Sequence, residues 1–472
     1  MISTSLDIER TGQQLHELAT RLYPICRSQT GDGVRDTLSI LGELIPLDLH
    51  EVPSGSQVFD WTVPPEWNVR DAYVMDQAGQ RVIDFRDSNL HLVNGSLPVN
   101  RAMTWPELKP HLYSLPDQPD WIPYRTCFFR EDWGFCLTHH RLEELAARGE
   151  QRYEVVIDTT LEPGALTYGE LLLPGESPEE VLFSAHVCHP SLANDNLSGL
   201  SIATSLAANL ANLPRRRYSY RFLFAPATIG AITWLALNQD RLDPIRHGLV
   251  LSLLGDSGHS TYKRSRSGTA TIDRVVEHVL RTSGQRFEIL DFVPFGYDER
   301  QFCSPGINLP MGCLMRTPNG QFPEYHTSAD DLSLIKPDCL ADSLVKCLKI
   351  VEVLEHDARY LNLRPQCEPR LGQHGLYESL PATADRLQVQ QAVQWVLNFS
   401  DGNHTLFEIS ERSGLEFHIL LRAARLLVEC NLISRLDNST RSPAARGTEQ
   451  PVHPVSRMVS PLQPSAPLEN GK

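Results

Sequence analysis

Apolar and polar positions change texture along this chain, and the changes predict its elements. Val181 Leu182 Phe183 Ser184 Ala185 is a strand-length apolar run, and Tyr218 to Ala225 and Gly248 to Leu254 are two more. Runs that do not alternate with polar residues suit strands buried on both faces. Apolar residues recur at helical spacing over Gly199 to Leu213, Ile229 to Asn238, Ile272 to Thr282 and Pro337 to Tyr360, the last with proline in its first turn. Leu6 to Leu22 predicts an opening helix with Leu15, Leu18 and Leu22 on one face, stopping near Pro24. Strands alternating with helices predict an α/β sheet flanked by helices.

Two regions break this rhythm. From Ile45 to Leu115 short β-rich pieces such as Trp61 to Pro65, Asp71 to Met75 and Gln80 to Phe85 lie among turn residues, which predicts a small inserted all-β unit. A second strand series, Tyr153 to Thr160 and Gly169 to Leu173, then leads into the apolar runs. Beyond Arg364, prolines mark a boundary. Gln388 to Phe399, Thr405 to Ser413 and Glu416 to Cys430 read as helices and Asn431 to Arg435 as the start of a β wing, the sequence shape of a winged helix. From Asp437 the chain is rich in Pro, Ser and Arg and poor in apolar residues, so disorder is expected. The expected division is 1–44 with 116–364 (α/β), 45–115 (inserted β), 365–436 (winged helix) and 437–472 (tail).

At 472 residues the chain exceeds one ordinary core, consistent with several domains. Its formal net charge of -15 argues against a general nucleic-acid or anionic-membrane binder, although it leaves room for a local basic pocket. No apolar stretch approaches the roughly 20 residues that span a bilayer. The opening MISTSLDIERTG lacks a charged region followed by an apolar core. The 10 cysteines form no CxxC pair, which suits reduced thiols. A cytoplasmic enzyme with a small-molecule or peptide-like substrate is expected, without nucleic-acid or membrane partners; a homo-oligomer is compatible.

The densest candidate chemistry is HVCHPSLANDNLSG, His186 to Gly199, at a strand-to-helix junction. Open α/β sheets place ligand sites at such carboxyl ends. Taken alone, Asp195 reads as a helix cap and His186 as a structural histidine. Glu324 Tyr325 His326 Thr327 Ser328 Ala329 Asp330 Asp331 adds a histidine in a second, carboxylate-rich loop. Two histidines and an aspartate from separate loops can hold zinc and leave a position open for water.

These two segments, with GYDERQFCSPGINLPMGCLMRTPNGQF before the second, resemble the aminopeptidase-like proteins with a Zn-peptidase fold. That subfamily is distantly related to the zinc aminopeptidases that include bacterial leucyl aminopeptidase. Its members are often encoded with polysaccharide or natural-product biosynthesis genes. The resemblance spans about residues 6–436 and implies a zinc-peptidase-like mixed sheet flanked by helices, an inserted β domain and a C-terminal winged helix. It implies His186, Asp195 and His326 as metal ligands. It also shows departures: Ala227 and Thr228 stand where the zinc aminopeptidases keep a glutamate base and an acidic ligand, and Ser252 stands near the other carboxylate ligand. One zinc is therefore expected rather than two.

Glu324 is the first substitute for the missing base, and Asp298 and Glu299 are the next. His189 is expected first to support the ligands from behind, with an extra ligand or a proton shuttle as the alternatives, and Cys188 is expected to belong to the core. The basic run Lys263 Arg264 Ser265 Arg266 and the later Arg316 are candidates for a substrate anion. The expected recognition helix carries Arg422 and Arg425 but also Glu416 and Glu429, no surplus for binding phosphates. The expected function is zinc-dependent hydrolysis of an amide bond, as an aminopeptidase or deacylase. The alternative is a catalytically degenerate metal-binding or scaffold protein of the same fold.

Overall fold

The three apolar runs become adjacent strands at the middle of an eight-stranded sheet. Its order is Asp48–Pro53, Ala165–Leu173, Ser219–Ala225, Glu180–His186, Ile245–Leu251, Met311–Met315, Ser260–Lys263 and Phe287–Leu290. The computed structural model describes residues 6–149, 151–376 and 386–436. The expected disordered tail lies outside them.

The central strands are parallel, with His186 opposite Ala225 and Ser184 opposite Val250. Antiparallel neighbours toward both edges make the sheet mixed. Successive side chains of a strand face opposite ways, and two cores follow. Phe183, Phe222 and Leu249 join residues of helices Ile8–Leu22, Gly199–Ala211, Thr271–Thr282 and Pro337–His356 in one. Leu182, Leu223 and Val250 join helix Ile229–Leu237 in the other. Burial on both sides is why these strands are mostly apolar, and the buried Arg221 and Glu180 in two of them pair with each other at 2.6 Å.

A separate four-stranded sheet holds Arg81–Asp84, Glu66–Met75, Arg152–Glu162 and Val99–Thr104 around its own core of Trp67, Val74, Met103 and Val155. Asp48–Pro53, within the stretch expected as the insertion, lies at the edge of the large sheet. Arg152–Glu162, beyond that stretch, pairs with two strands of the small one.

The helix expected to reach Tyr360 stops at His356. Arg359–Asn362 is instead a strand between Asp401–Thr405 and Ile433–Arg435, because two later strands supply its hydrogen bonds. With helices Arg386–Phe399, Leu406–Ser413 and Phe417–Glu429 these strands complete the winged helix. Thr405 and Glu408 form a capping box at the start of its second helix. Ala423 and Leu427 share a core with Leu348 and Val351, so the unit is docked on helix Pro337–His356. Lys349 Nζ to Glu416 (2.7 Å), His278 Nε2 to Ser410 Oγ (2.7 Å) and an Arg274–Glu411 pair border the joint. No helix among the described residues is long and apolar enough to cross a membrane.

Candidate metal centre

His186 ends the central strand, and its buried Nε2 lies 2.9 Å from Asp195 Oδ1. The polar residues around Asp195 explain how its carboxylate reaches that place. Asn194 donates to Asp256 Oδ2 (2.9 Å) and accepts from the Gly255 amide (2.9 Å). Asn196 donates to the Leu251 carbonyl (3.1 Å), and Ser198 accepts from the Leu254 amide (2.9 Å). The turn is thereby clipped to the end of the neighbouring strand Ile245–Leu251. Gly199 has no room for a Cβ against the Leu251 carbonyl. The backbone amides of Asn194 and Asp195 donate to the Asp330 carboxyl, from the loop that also carries His326.

His326 Nε2 lies 3.1 Å from the other Asp195 oxygen, Oδ2. Its backbone sits at φ 57° and its carbonyl accepts from the Tyr124 amide (2.7 Å). Its ring stacks on Tyr325 at 4.0 Å and meets the edge of Tyr124. The sequence-predicted trio of His186, Asp195 and His326 is therefore brought together, around one carboxylate with an imidazole at each oxygen.

His189 joins the same cluster. Its Nε2 lies 3.8 Å from Asp195 Oδ2 and its ring is 4.9 Å from that of His186. Its carbonyl accepts from Nε of Arg27, a guanidinium that burial pulls down to about 10. Burial also pushes the His189 imidazole down to about 3, so it is neutral, the form that can bind a metal. Burial alone would raise the Asp195 carboxyl, but the hydrogen bonds it shares with His186 and His326 outweigh it and hold it well below the usual carboxylate range. Asp195 is an ionised buried carboxylate.

The departures seen in the sequence border this cluster. Ala227 and Thr228 follow the strand on one side of the His186 strand, and Ser252 follows the strand on the other. The Ala227 amide donates to Cys188 Sγ at 3.3 Å. Cys188 is buried as expected, yet it walls the site rather than lying apart from it. The Ser252 hydroxyl is buried without a partner among the described residues.

Other candidates are placed elsewhere. Arg264 pairs with Glu277 (2.9 Å) and Asp291 (2.8 Å), so its guanidinium is neutralised on helix Thr271–Thr282 and the loop beyond it. Lys263 pairs with buried Glu299, and Arg266 donates to Asn308. Arg316 is buried against Asp342 (2.8 Å) and the Gly258 carbonyl. Lys263 and Arg264 are thus ion-paired within the fold, while Arg266 is exposed and meets an amide. Glu324 is half-buried and lines a cleft of about 500 Å³ with Trp121, Asp256, Phe322, Asp331 and Lys336. None of the four clustered ligand candidates lines that cleft. Asp298 is buried next to Tyr297, whose ring stacks on His186; burial pushes its carboxyl up to about 7 while His186 opposes the rise.

Sequence reasoning missed Tyr124, Arg27, Tyr297 and the anchoring role of Asp330. Asp330 and Tyr297 lie within quoted motifs and only their partners were unseen. Tyr124 and Arg27 come from loops distant in the chain and carry no local signal.

Comparison with known proteins follows the same lines. A family described as a domain of unknown function (DUF4910) matches residues 16–357, and a winged helix-turn-helix family matches residues 358–435. A Clostridium acetobutylicum protein, provisionally named a polysaccharide biosynthesis protein with an aminopeptidase-like domain, is 49% identical over 423 residues, covering 90% of this chain and 96% of the relative. A crystal structure from the same organism, provisionally described as a peptidase, matches with a TM-score of 0.86 at 48% identity over 91% of this chain and 98% of that one. A zinc aminopeptidase from Bacillus subtilis matches at 10% identity with a TM-score of 0.54, over 73% of this chain and 95% of that one. That last likeness is one of fold, and the α/β body has the aminopeptidase-like architecture.

Proposed function

The chain belongs to the family described as a domain of unknown function (DUF4910), and from that membership and the Asp195 cluster we propose a single-zinc hydrolase of amide bonds. The observation that carries the reading is the buried Asp195 carboxylate with an imidazole nitrogen near each oxygen. The donor set fits zinc, which takes imidazole nitrogen and carboxylate oxygen. It fits one ion rather than two, because Ala227, Thr228 and Ser252 offer no carboxylate at the flanking strand ends.

His186 and Asp195 would hold the ion, with a third nitrogen from His326, as the sequence resemblance implies, or from His189. Bound zinc supplies a polarised carbonyl and a water made acidic enough to attack. Tyr124 and Tyr325 pack against the His326 ring and fix its orientation. Glu324, two residues before His326 and without a side-chain partner among the described residues, is the first candidate for the base. Asp298, buried beside the His186 ring partner, is the alternative carboxyl. The unpaired thiols support a reducing, cytoplasmic setting. The name of the Clostridium relative supports a substrate from polysaccharide assembly, and the sequence resemblance adds a small or peptide-like substrate and natural-product assembly.

Ala227 favours a second reading, a metal-binding scaffold of the same fold that has lost turnover. An activity panel separates the two. Zinc-loaded protein is tested on aminoacyl amides, dipeptides and N-acyl amino sugars, with His186→Ala as control. Zinc-dependent cleavage by the unmodified chain alone supports the hydrolase. Absence of cleavage across the panel supports the scaffold.

A further inference from the structure

We propose that the metal centre takes amides whose acyl side carries no ammonium, N-acyl amines rather than aminoacyl amides, because the buried Arg27 guanidinium stands behind it without an acidic partner. The proposal rests on the zinc hydrolase reading above and names its substrate class.

Arg27 is 1% exposed, and its hydrogen bonds go to uncharged acceptors. Nε donates to the His189 carbonyl (2.8 Å), and Nη1 to the Leu22 carbonyl (2.7 Å) and the Thr37 hydroxyl (3.3 Å). Nη2 is buried without a partner among the described residues. The ionisable groups around the guanidinium are the Cys26 and Cys188 thiols and the Tyr124 phenol. Burial raises all three, so at neutral pH they carry no charge, whereas Arg27 keeps its proton. A buried cation ordinarily has a paired carboxylate. Here His189 links it to the Asp195 carboxylate, with Nε2 3.8 Å from Oδ2.

Zinc at Asp195 would set one carboxylate against a dication and an unpaired guanidinium. Such a site stabilises an oxyanion developing on a carbonyl and repels a cation beside it. The ammonium of an aminoacyl amide sits on the carbon next to that carbonyl, so it needs a carboxylate close to the ion. Ala227, Thr228 and Ser252 offer none. Other carboxylates of these loops are committed. Asp330 accepts the Asn194 and Asp195 amides, Asp256 accepts from Thr317 and Asn194, and Glu299 pairs with Lys263. Asp298 is buried, which disfavours its charged form. Glu324, as the base, would hold the proton it takes. An uncharged acyl group makes no such demand.

Two hydroxamates test the assignment, since each binds zinc through the same two oxygens and only one carries an ammonium. Calorimetry measures acetohydroxamate and glycine hydroxamate on the zinc-loaded full chain, at mildly acidic pH where the glycine amine is protonated. Acetohydroxamate should bind about tenfold more tightly or better. Arg27→Met should narrow the gap and Arg27→Lys should retain it, with zinc content and circular dichroism checking each variant. Among substrates, N-acyl amino sugars should be cleaved and aminoacyl amides spared. Glycine hydroxamate binding as tightly as acetohydroxamate, or binding of neither, overturns the proposal. Cleavage of aminoacyl amides alone overturns it too, while leaving the hydrolase standing. An undiminished gap in folded, zinc-loaded Arg27→Met overturns the part given to Arg27. If the unmodified chain binds no zinc, the hydrolase reading fails first and takes this proposal with it.

Discussion

The Asp330 carboxyl accepts the backbone amides of Asn194 (2.6 Å) and Asp195 (3.0 Å), so the loop that presents His326 also builds the turn that presents Asp195. Two segments more than a hundred residues apart are thereby one structural unit. Replacing Asp330 with Ala leaves two buried N–H groups unpaired, at roughly 1–3 kcal/mol each. Asp330→Ala should lower stability by about 2–4 kcal/mol in denaturant unfolding and weaken metal binding, although Asp330 is not itself a proposed ligand. Unchanged unfolding and metal affinity would show that the two loops are positioned independently.

Glu324 tests where the proton goes. If it replaces the base missing at Ala227, Glu324→Gln should keep its zinc and its fold while kcat falls about 10²–10⁴-fold, with a smaller change in KM. Equal turnover by variant and unmodified chain would remove Glu324 and direct attention to Asp298.

The joint between the winged helix and the α/β body should be acid-sensitive. Burial pushes His278, hydrogen-bonded to Ser410, down to about 4 from an ordinary 6.5. Between those values the unfolded chain binds a proton that the folded chain refuses, so stability falls as pH drops through the window. One such proton contributes at most about 1.4 kcal/mol per pH unit. His247 and His356 are shifted the same way, so His278→Gln should reduce the slope of stability against pH between about 4 and 6.5 without abolishing it. An unchanged slope in pH-dependent thermal unfolding would contradict a buried neutral His278.

The helix Phe417–Glu429, in the place of a recognition helix, shares its apolar face with the body of the protein. Duplex DNA should bind only weakly at physiological salt, measured by fluorescence anisotropy. Ending the chain after residue 356 should expose Leu348 and Val351 and lower solubility. Tight, sequence-specific DNA binding would instead require this unit to undock and would support a regulatory role.

What could be read from the sequence depended on how local each signal was. His186 and Asp195 were legible because an apolar run, a polar turn and a helical stretch follow one another without interruption. The roles of Arg264 and Arg316 were not, because a charge does not disclose its partner, and Glu277, Asp291 and Asp342 reach them only through the fold. Arg359–Asn362 continued a helical pattern and became a strand because its partners lie downstream. For His189, spacing shows that a histidine is near the ligands and not which atom it presents. Tyr124 reaches His326 from a loop some two hundred residues earlier, with no local pattern to mark it.

The central claim is one zinc ion held at Asp195, and metal content tests it most directly. Elemental analysis of protein purified without added metal should give about one zinc per chain. His186→Ala should lose it, and Asp195→Asn should bind more weakly because the offsetting negative charge is gone. Two tightly held ions per chain, or none after reconstitution with zinc, would contradict the account.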